Sequence, residues 1–131
     1  MQQSTKRILC VEDDNDSCEV LRALFQQAGY EVSIANTVAE GLQLARGGDF
    51  SFIMLDSLYP DGTGVELCKQ IRSFNSHTTI LFYAGLSDDV DVREGMGAGA
   101  QGYFIKPDIS GLLHAISYTT SADSRINQNN Q

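Results

Sequence analysis

The sequence predicts an α/β fold in which helices cover both faces of a doubly wound, parallel, five-stranded sheet. Three observations support this prediction. Short apolar segments alternate five times with segments of helical period along the 131 residues. Apolar segments such as ILCV, FIML and ILFY are nearly continuous, which is typical of strands buried on both faces. The chain is also long enough for one hydrophobic core and too short for two ordinary domains.

The first strand and the first helix are predicted between residues 6 and 29. Lys6 to Val11 is the apolar segment that predicts the strand. Apolar residues then recur at helical spacing and predict one buried helix face: Val20, Leu21, Leu24, Phe25 and Ala28. Gly29 is expected to end this helix, because glycine readily adopts the left-handed conformation that follows many helices.

The second strand and the second helix repeat this pattern. Apolar and polar residues alternate from residue 30 to residue 34, as they do in a strand. Thr37 then opens a helix with Glu40 three residues later, which is the spacing of a capping box. The adjacent glycines Gly47 and Gly48 are expected to end that helix.

The remaining elements follow in the same alternating order. The third strand is predicted at Phe52 to Leu55 and the third helix at Val65 to Arg72. The fourth strand is predicted at Ile80 to Tyr83, the fourth helix at Asp88 to Met96, and the fifth strand at Tyr103 to Ile105. Asp108 is expected to cap a final helix with one apolar side, formed by Ile109, Leu112, Leu113 and Ile116. Residues 119–131 are polar and aperiodic, and we expect a disordered tail or the end of the last helix.

Composition argues against several classes of function. The formal net charge is −8, so the chain repels phosphate backbones and anionic membranes, and no direct binding to nucleic acid or membrane is expected. No segment approaches the roughly 20 apolar residues of a membrane span or resembles a signal peptide, so a cytoplasmic protein is expected. Cys10, Cys18 and Cys68 lack metal-ligand spacing and are expected to be reduced thiols of the core.

Charged residues follow three of the predicted strands. Glu12, Asp13 and Asp14 follow the first strand, Asp56 follows the third, and Lys106 follows the fifth. In a doubly wound sheet these strand ends share one edge, where ligands bind. Crowded carboxylates repel one another unless they share protons or hold a hard cation, and their oxygens suit Mg²⁺. The metal and the lysine could together neutralise an incoming phosphoryl group, which leaves Asp56 as the nucleophile.

A simpler interpretation applies to part of this acidic segment. Acidic and amide residues at the start of a helix commonly cap it, and we prefer this interpretation for Asp14, Asn15 and Asp16. It does not account for the whole set of charges, because three separate strand ends would each need a charged residue by chance.

Three segments carry a resemblance to a known family. They are ILCVEDD, LDSLYPDGTG with Pro60 and Gly64 at the family spacing from the aspartate, and GAGAQGYFIKP. On these motifs the chain resembles, over residues 6–118, the receiver domain of two-component response regulators. The resemblance implies a flavodoxin-like (βα)5 fold with strand order 2-1-3-4-5, with a receiver domain at residues 1–118 and a tail at 119–131. It leaves open whether the chain is a stand-alone receiver or a piece of a longer regulator.

The resemblance also implies roles for individual residues. Asp56 matches the acceptor of a phosphoryl group from a kinase's phosphohistidine, and both Asp56 and Asp13 match direct ligands of Mg²⁺. Leu58 matches the position whose backbone carbonyl completes the metal shell, and Glu12 matches the acid that reaches the metal through water. Lys106 matches the lysine that contacts a phosphoryl oxygen.

Two more positions have counterparts in the family. A cis peptide bond is frequent in the family before the proline that matches Pro107, where it would aim the preceding lysine into the pocket. Tyr103 matches the family's aromatic switch position. A half-buried aromatic residue of a strand explains Tyr103 nearly as well.

One position departs from the family pattern. Receivers usually carry a threonine or serine at the end of the fourth strand, and its hydroxyl donates to the phosphoryl group. Counting back from Lys106 without gaps places Ala84 there, whereas a one-residue insertion would place Tyr83 there. Neither has a small hydroxyl, and Ala84 is the preferred match. We therefore expect phosphotransfer to persist and the conformational switch to lose about 1.5–3 kcal/mol, the contribution of one hydrogen bond to a charged group.

The implied function is a phosphorylation-dependent signalling module with at most self-catalysed phosphotransfer and autodephosphorylation, not an enzyme. Its phosphodonor would be a sensor histidine kinase or a histidine phosphotransfer protein. Its fourth helix, fifth strand and fifth helix would bind a downstream protein or a second copy in a homodimer. The missing hydroxyl leaves a phosphate-independent interaction module, a degenerate receiver, as the alternative. A metal-dependent phosphatase ranks last, because the sequence shows no separate general acid or substrate pocket.

Two motifs are discounted. GAGAQG, from Gly97 to Gly102, matches the dinucleotide-binding pattern but follows a helix and precedes a strand, so it is predicted to be a turn. PDGTG is similar to the nucleophile motif of haloacid-dehalogenase-like phosphatases, but Tyr59 stands where that motif requires an aspartate.

Overall fold

The structure, a computed structural model, describes residues 6–85 and 89–116, and of residues 89 and 90 it describes only the backbone. The strands and helices in these ranges are numbered in chain order: β1 Arg7–Val11, α1 Asn15–Gln27, β2 Glu31–Ala35, α2 Val38–Gly47, β3 Phe52–Leu55, β4 Leu58–Tyr59, β5 Gly62–Thr63, α3 Gly64–Arg72, β6 Thr79–Ala84, α4 Asp89–Gly97 and β7 Gly102–Ile105. A further helix, α5, is described over residues 109–116.

Five of these strands form one parallel sheet in the order β2-β1-β3-β6-β7. This is the predicted order 2-1-3-4-5, because the two additional strands β4 and β5 pair only with each other in an antiparallel hairpin. The register pairs Val11 with both Ala35 and Leu55, so β1 ends beside β2 and beside β3. The doubly wound α/β fold predicted from the sequence is confirmed.

The core has two layers, one on each face of the sheet. Alternate residues of a strand point to opposite faces, so β3 contributes Ile53 and Leu55 to one layer and Phe52 and Met54 to the other. The helices α2 and α3 cover the first layer with the buried residues Ala45, Leu67 and Ile71. The helices α1 and α5 cover the second layer with Leu21, Phe25, Leu112 and Ile116. All four residues of β3 are buried, as its unbroken apolar sequence predicts.

The three cysteines are free and buried, as predicted. Cys10 belongs to β1, Cys18 to α1 and Cys68 to α3. Burial raises the pKa of Cys68 to about 11, so this thiol stays protonated at neutral pH. Cys10 and Cys68 pack as small side chains within the two core layers.

The buried face of α1 differs from the predicted face. Leu21 and Phe25 are buried as predicted and Cys18 joins them, but Val20 is 57% exposed and Ala28 is also exposed. Successive residues of an α-helix are rotated by about 100°, so Val20 lies about 100° around the helix from Leu21, the nearest of the buried residues, and Ala28 follows the last helical residue, Gln27. The apolar pattern of the sequence covers a wider side of the helix than the side that packs against the sheet. Only the packing decides which of these apolar residues are buried.

Aspartates cap the first and the last helix, as predicted. Asp14 accepts hydrogen bonds from the hydroxyl of Ser17 at 2.8 Å and from its backbone N–H at 2.9 Å, and these bonds lower the pKa of Asp14. Asp108 accepts from the backbone N–H of Gly111 at 3.0 Å. Each carboxylate satisfies an N–H group that has no partner inside its own helix.

The predicted capping box of α2 is only half formed. Thr37 accepts from the backbone N–H of Glu40 at 3.0 Å, but the Glu40 carboxylate accepts from the N–H of Asn36, one residue before the cap. A complete capping box, which was not predicted, lies at the start of α3 between Thr63 and Glu66.

The β4–β5 hairpin was not predicted, and it is attached to the start of α2. Asp61 in its turn accepts hydrogen bonds from the backbone N–H groups of Val38 at 2.8 Å and Ala39 at 3.0 Å. These bonds lower the pKa of Asp61, and its negative charge also suits the positive end of the helix. The segment after β3 is thereby held against α2.

The segment between α4 and β7 contains Gly99 with a φ of +120°, so the GAGAQG motif is a turn, as predicted. The helix α4 is described over Asp89–Gly97, and its predicted first residue, Asp88, lies outside the described residues, as does the tail at 119–131. Within the described part of the chain, no helix has both the length and the apolar character needed to cross a membrane.

Candidate functional site

The predicted site lies at the carboxyl ends of the central strands. Glu12 and Asp13 directly follow β1, Asp56 follows β3, and Lys106 follows β7. The order of the sheet reverses at β1 and β3, because β2 extends it on one side and β6 extends it on the other. Ligands of doubly wound folds bind at such a position.

Lys106 joins two of the carboxylates. Its Nζ donates to Oε1 of Glu12 and to Oδ2 of Asp56, at 2.9 Å in each case. The side chains of Glu12, Asp56 and Lys106 are 2%, 14% and 24% exposed, so solvent screens these contacts less than it screens a surface ion pair. The peptide bond between Lys106 and Pro107 is cis, as the resemblance implies.

Burial and the ion pairs together set the charges of this trio. Burial raises the pKa of Glu12, and the hydrogen bond from Lys106 opposes this effect only in part. Burial also lowers the pKa of Lys106, but its hydrogen bonds to Glu12 and Asp56 outweigh burial and leave that pKa raised. The lysine is therefore a permanent cation at neutral pH.

Three carboxylates can face a single ion. One oxygen from each of Glu12, Asp13 and Asp56 lies within 4.8 Å of the others. Glu12 is buried, Asp56 is half-buried and Asp13 is exposed, so the cluster opens to solvent on one side. Three carboxylates face the single ammonium group of Lys106, and this excess of negative charge, carried entirely by oxygen ligands, fits a hard divalent cation.

Neighbours orient both carboxylate oxygens of Asp56. Oδ1 accepts from the backbone N–H of Ser57 at 2.6 Å, and Oδ2 accepts from Lys106. Gly64 packs directly against this residue, because a Cβ at position 64 would clash with the carbonyl oxygen of Asp56. Leu58 begins β4 with an exposed side chain, so only its backbone is available to the site.

Tyr59 belongs to the site, although its part in the site was not predicted. Its hydroxyl accepts a hydrogen bond from the backbone N–H of Asp56 at 2.6 Å and donates one to the carbonyl of Val11 at 2.8 Å. The residue is only 7% exposed. No sequence signal identifies this role, because a tyrosine shortly after a strand is usually a packing residue.

Two more side chains support the turn after β1, and neither was predicted to belong to the site. The carbonyl of Glu12 accepts from Nδ2 of Asn36 at 2.8 Å and from Sγ of Cys18 at 3.3 Å. Asn36 lies between β2 and α2, and Cys18 lies in α1. A side chain from the β2–α2 connection and one from α1 therefore hold the backbone that carries Glu12 and Asp13.

The residues considered for the switch occupy different surroundings. Ala84 is the last residue of β6, is fully buried, and accepts the backbone N–H of Lys106 on its carbonyl at 2.7 Å. Tyr83 belongs to the core layer under α1 and α5, with its ring centroid 5.9 Å from Nζ of Lys106. Tyr103 is half-buried and stacks on Phe82, with 5.2 Å between ring centroids.

The fold and the site together define a class of protein: a doubly wound α/β domain with an acidic cluster and one lysine at the carboxyl edge of its sheet. The chain belongs to the response regulator receiver domain family, whose model matches residues 8–117. This finding confirms the family inferred from the three sequence motifs.

Relatives of known sequence agree with this assignment. The chain is 38% identical over 109 residues to the uncharacterized transcriptional regulatory protein YrkP of Bacillus subtilis, covering 83% of this chain and 46% of that protein. It is 32% identical over 124 residues to the transcriptional regulatory protein DltR of Streptococcus agalactiae, covering 94% and 55%. The chain therefore spans about half the length of these curated relatives.

Solved structures agree as well. A CheY-like response regulator receiver domain protein from Methanospirillum hungatei superposes with a TM-score of 0.87 at 28% identity, covering 93% of this chain and 98% of that one. The beryllofluoride-activated receiver domain of DrrB superposes with a TM-score of 0.81 at 28% identity, covering 90% and 99%. This membership is consistent with phosphorylation-dependent signalling.

Proposed function

We propose that this chain is a phosphoacceptor module that takes a phosphoryl group on Asp56 from a phosphohistidine. The observation that carries the proposal is the ammonium group of Lys106, held 2.9 Å from both Glu12 and Asp56 at the edge of the sheet. An oxygen of Asp56 attacks the phosphorus while the P–N bond of the phosphohistidine breaks, and the imidazole keeps the electron pair. Lys106 is already placed to balance the charge of the phosphoryl oxygens.

The oxygen ligands of the cluster fit Mg²⁺. Asp13 and Asp56 would hold it directly, the backbone carbonyl of Leu58 would complete the shell, and Glu12 would reach it through water. The bound metal supplies charge neutralisation for the transferred phosphoryl group. Chemistry by the chain itself is then limited to accepting that group and losing it to water, so we infer a signalling protein and not an enzyme with separate substrates.

Purified protein is expected to gain one phosphoryl group when it is incubated with acetyl phosphate and Mg²⁺. The reason is that the carboxylates of the cluster repel an anionic donor until a cation neutralises them. Intact mass after rapid quenching measures the gain, and EDTA in the same incubation should abolish it. A protein that gains no mass and binds no beryllofluoride would contradict the proposal and support a phosphate-independent interaction module.

Two apolar surfaces support the proposed partners. A cavity of about 350 Å³ beside Lys106 is lined by the exposed Val20 together with Pro107 and Ile109, and a histidine kinase or phosphotransfer protein would cover it while donating the phosphoryl group. Met96 on α4 and Ile105 on β7 are also exposed, which suits contact of the α4-β7-α5 face with a downstream protein or a second copy. Direct contact with nucleic acid is disfavoured by the net charge of −8.

Ala84→Thr is expected to strengthen the conformational response to phosphorylation, and Ala84→Val is not. The two variants have the same shape at this buried position, so their comparison isolates the hydroxyl. A hydrogen bond to a charged phosphoryl group contributes about 1.5–3 kcal/mol, enough to shift a two-state equilibrium about tenfold or more. Chemical-shift changes of α4 and β7 amides on adding beryllofluoride measure the response. Equal responses would show that a hydroxyl at position 84 does not drive the switch.

A further inference from the structure

We propose that Tyr59 is the positioning residue of the Mg²⁺ site, and that its hydroxyl sets the spacing between the chain segments that supply the metal ligands. This inference rests on the proposed function, because it concerns the same site. It adds a residue that is neither acidic nor basic and that is not itself an expected metal ligand.

One hydroxyl joins the ends of two neighbouring strands. It accepts from the N–H of Asp56 at 2.6 Å and donates to the carbonyl of Val11 at 2.8 Å. The register of β1 and β3 ends at the pair Val11 and Leu55, and Asp56 is the next residue. The tyrosine therefore continues the connection between the two strands beyond the last register pair, where their acidic residues begin.

These bonds reach each segment that supplies a direct ligand. Val11 lies two residues before Asp13, and the N–H that the hydroxyl accepts belongs to Asp56 itself. The backbone nitrogen of Tyr59 is bonded to the carbonyl carbon of Leu58, whose oxygen is the third expected ligand. A shift of the tyrosine would therefore change the distances among all three ligands.

Because these groups are buried, water cannot easily replace the hydrogen bonds of the Tyr59 hydroxyl. Tyr59 is 7% exposed and Val11 is 1% exposed, so water has little access to replace a lost partner on this side of the site. Carboxylates without a metal repel one another, and a rigid connection between their strands opposes that repulsion. Groups that orient metal ligands from outside the ligand shell commonly control affinity in this way.

Tyr59→Phe removes the hydroxyl and keeps the ring. We expect the dissociation constant for Mg²⁺, measured by titration calorimetry, to rise about tenfold, the lower end of the effect of removing such an orienting group. Tyr30→Phe is the matched control, because Tyr30 is equally buried but packs on Phe25 and on Phe52 at the opposite end of β3. Its Mg²⁺ affinity should equal that of the wild type.

Phosphoryl uptake as a function of Mg²⁺ concentration separates positioning from a general loss of structure. For Tyr59→Phe the Mg²⁺ midpoint should rise about tenfold, while the uptake rate at saturating Mg²⁺ stays near the wild-type rate. Unchanged Mg²⁺ affinity in Tyr59→Phe would overturn the inference and leave the proposed function standing if the wild type still takes up phosphate. A wild type that neither binds Mg²⁺ nor takes up phosphate would overturn both.

A second measurement does not depend on the folding of the variant. In the metal-free wild type, the backbone amide of Asp56 should exchange with solvent much more slowly than an unprotected peptide, because Tyr59 holds it at 2.6 Å. Exchange of this amide at the unprotected rate, followed by NMR, would overturn the inference.

Discussion

Asp56→Asn is expected to abolish the gain of a phosphoryl group from acetyl phosphate and Mg²⁺. Asparagine has nearly the same size, so the fold and the contact with Lys106 can persist, but a neutral amide is not a nucleophile for phosphorus. It also removes one of the three negative charges that face a metal at this edge of the sheet. Intact mass after rapid quenching, measured beside the wild type, tests this expectation.

The matched control for this experiment is Asp49→Asn. Asp49 is exposed and lies shortly before β3, whereas Asp56 directly follows the same strand at its other end. This variant should take up one phosphoryl group like the wild type. A phosphoryl group found on Asp56→Asn would show that another residue is the acceptor, and peptide mapping would identify it.

Lys106→Met is expected to destabilise the metal-free protein by about 3 kcal/mol, the lower end of the cost of removing one partner of a buried ion pair. The variant leaves the buried Glu12 carboxylate beside Asp56 without the cation that both contact. We place the effect at the lower end because Asp56 and the lysine keep some contact with water. Urea unfolding in EDTA measures the loss.

Two comparisons make this test specific. Lys69→Met removes an exposed lysine of α3 and should change stability only slightly. Added Mg²⁺ should recover part of the stability lost in Lys106→Met, because a second cation at the cluster replaces some of the missing charge. A Lys106→Met protein as stable as the wild type in EDTA would show that Lys106 does not balance Glu12.

The sequence contained enough information to predict the fold and the charged residues of the site. Unbroken apolar strands alternating with helices imply a parallel sheet, and the ends of parallel strands share one edge. Their positions directly after strands were therefore enough to predict that four charged residues lie close together: Glu12, Asp13, Asp56 and Lys106. On the first helix the prediction wrongly included Val20 and Ala28, because periodicity identifies an apolar side of a helix but not the stripe that the sheet covers.

The tertiary structure decided the contacts that support these residues. The hydroxyl of Tyr59 meets the carbonyl of Val11 across 48 positions of sequence, Asn36 reaches Glu12 across 24, and Asp61 caps α2 across 23. Each is a polar side chain whose partner is a backbone group of a distant segment, and every backbone offers such groups. The local sequence pattern therefore determined which charged residues form the site of this receiver domain. Only tertiary packing determined which side chains hold those residues in place, because hydrogen-bond partners depend on distances that exist only in the folded chain.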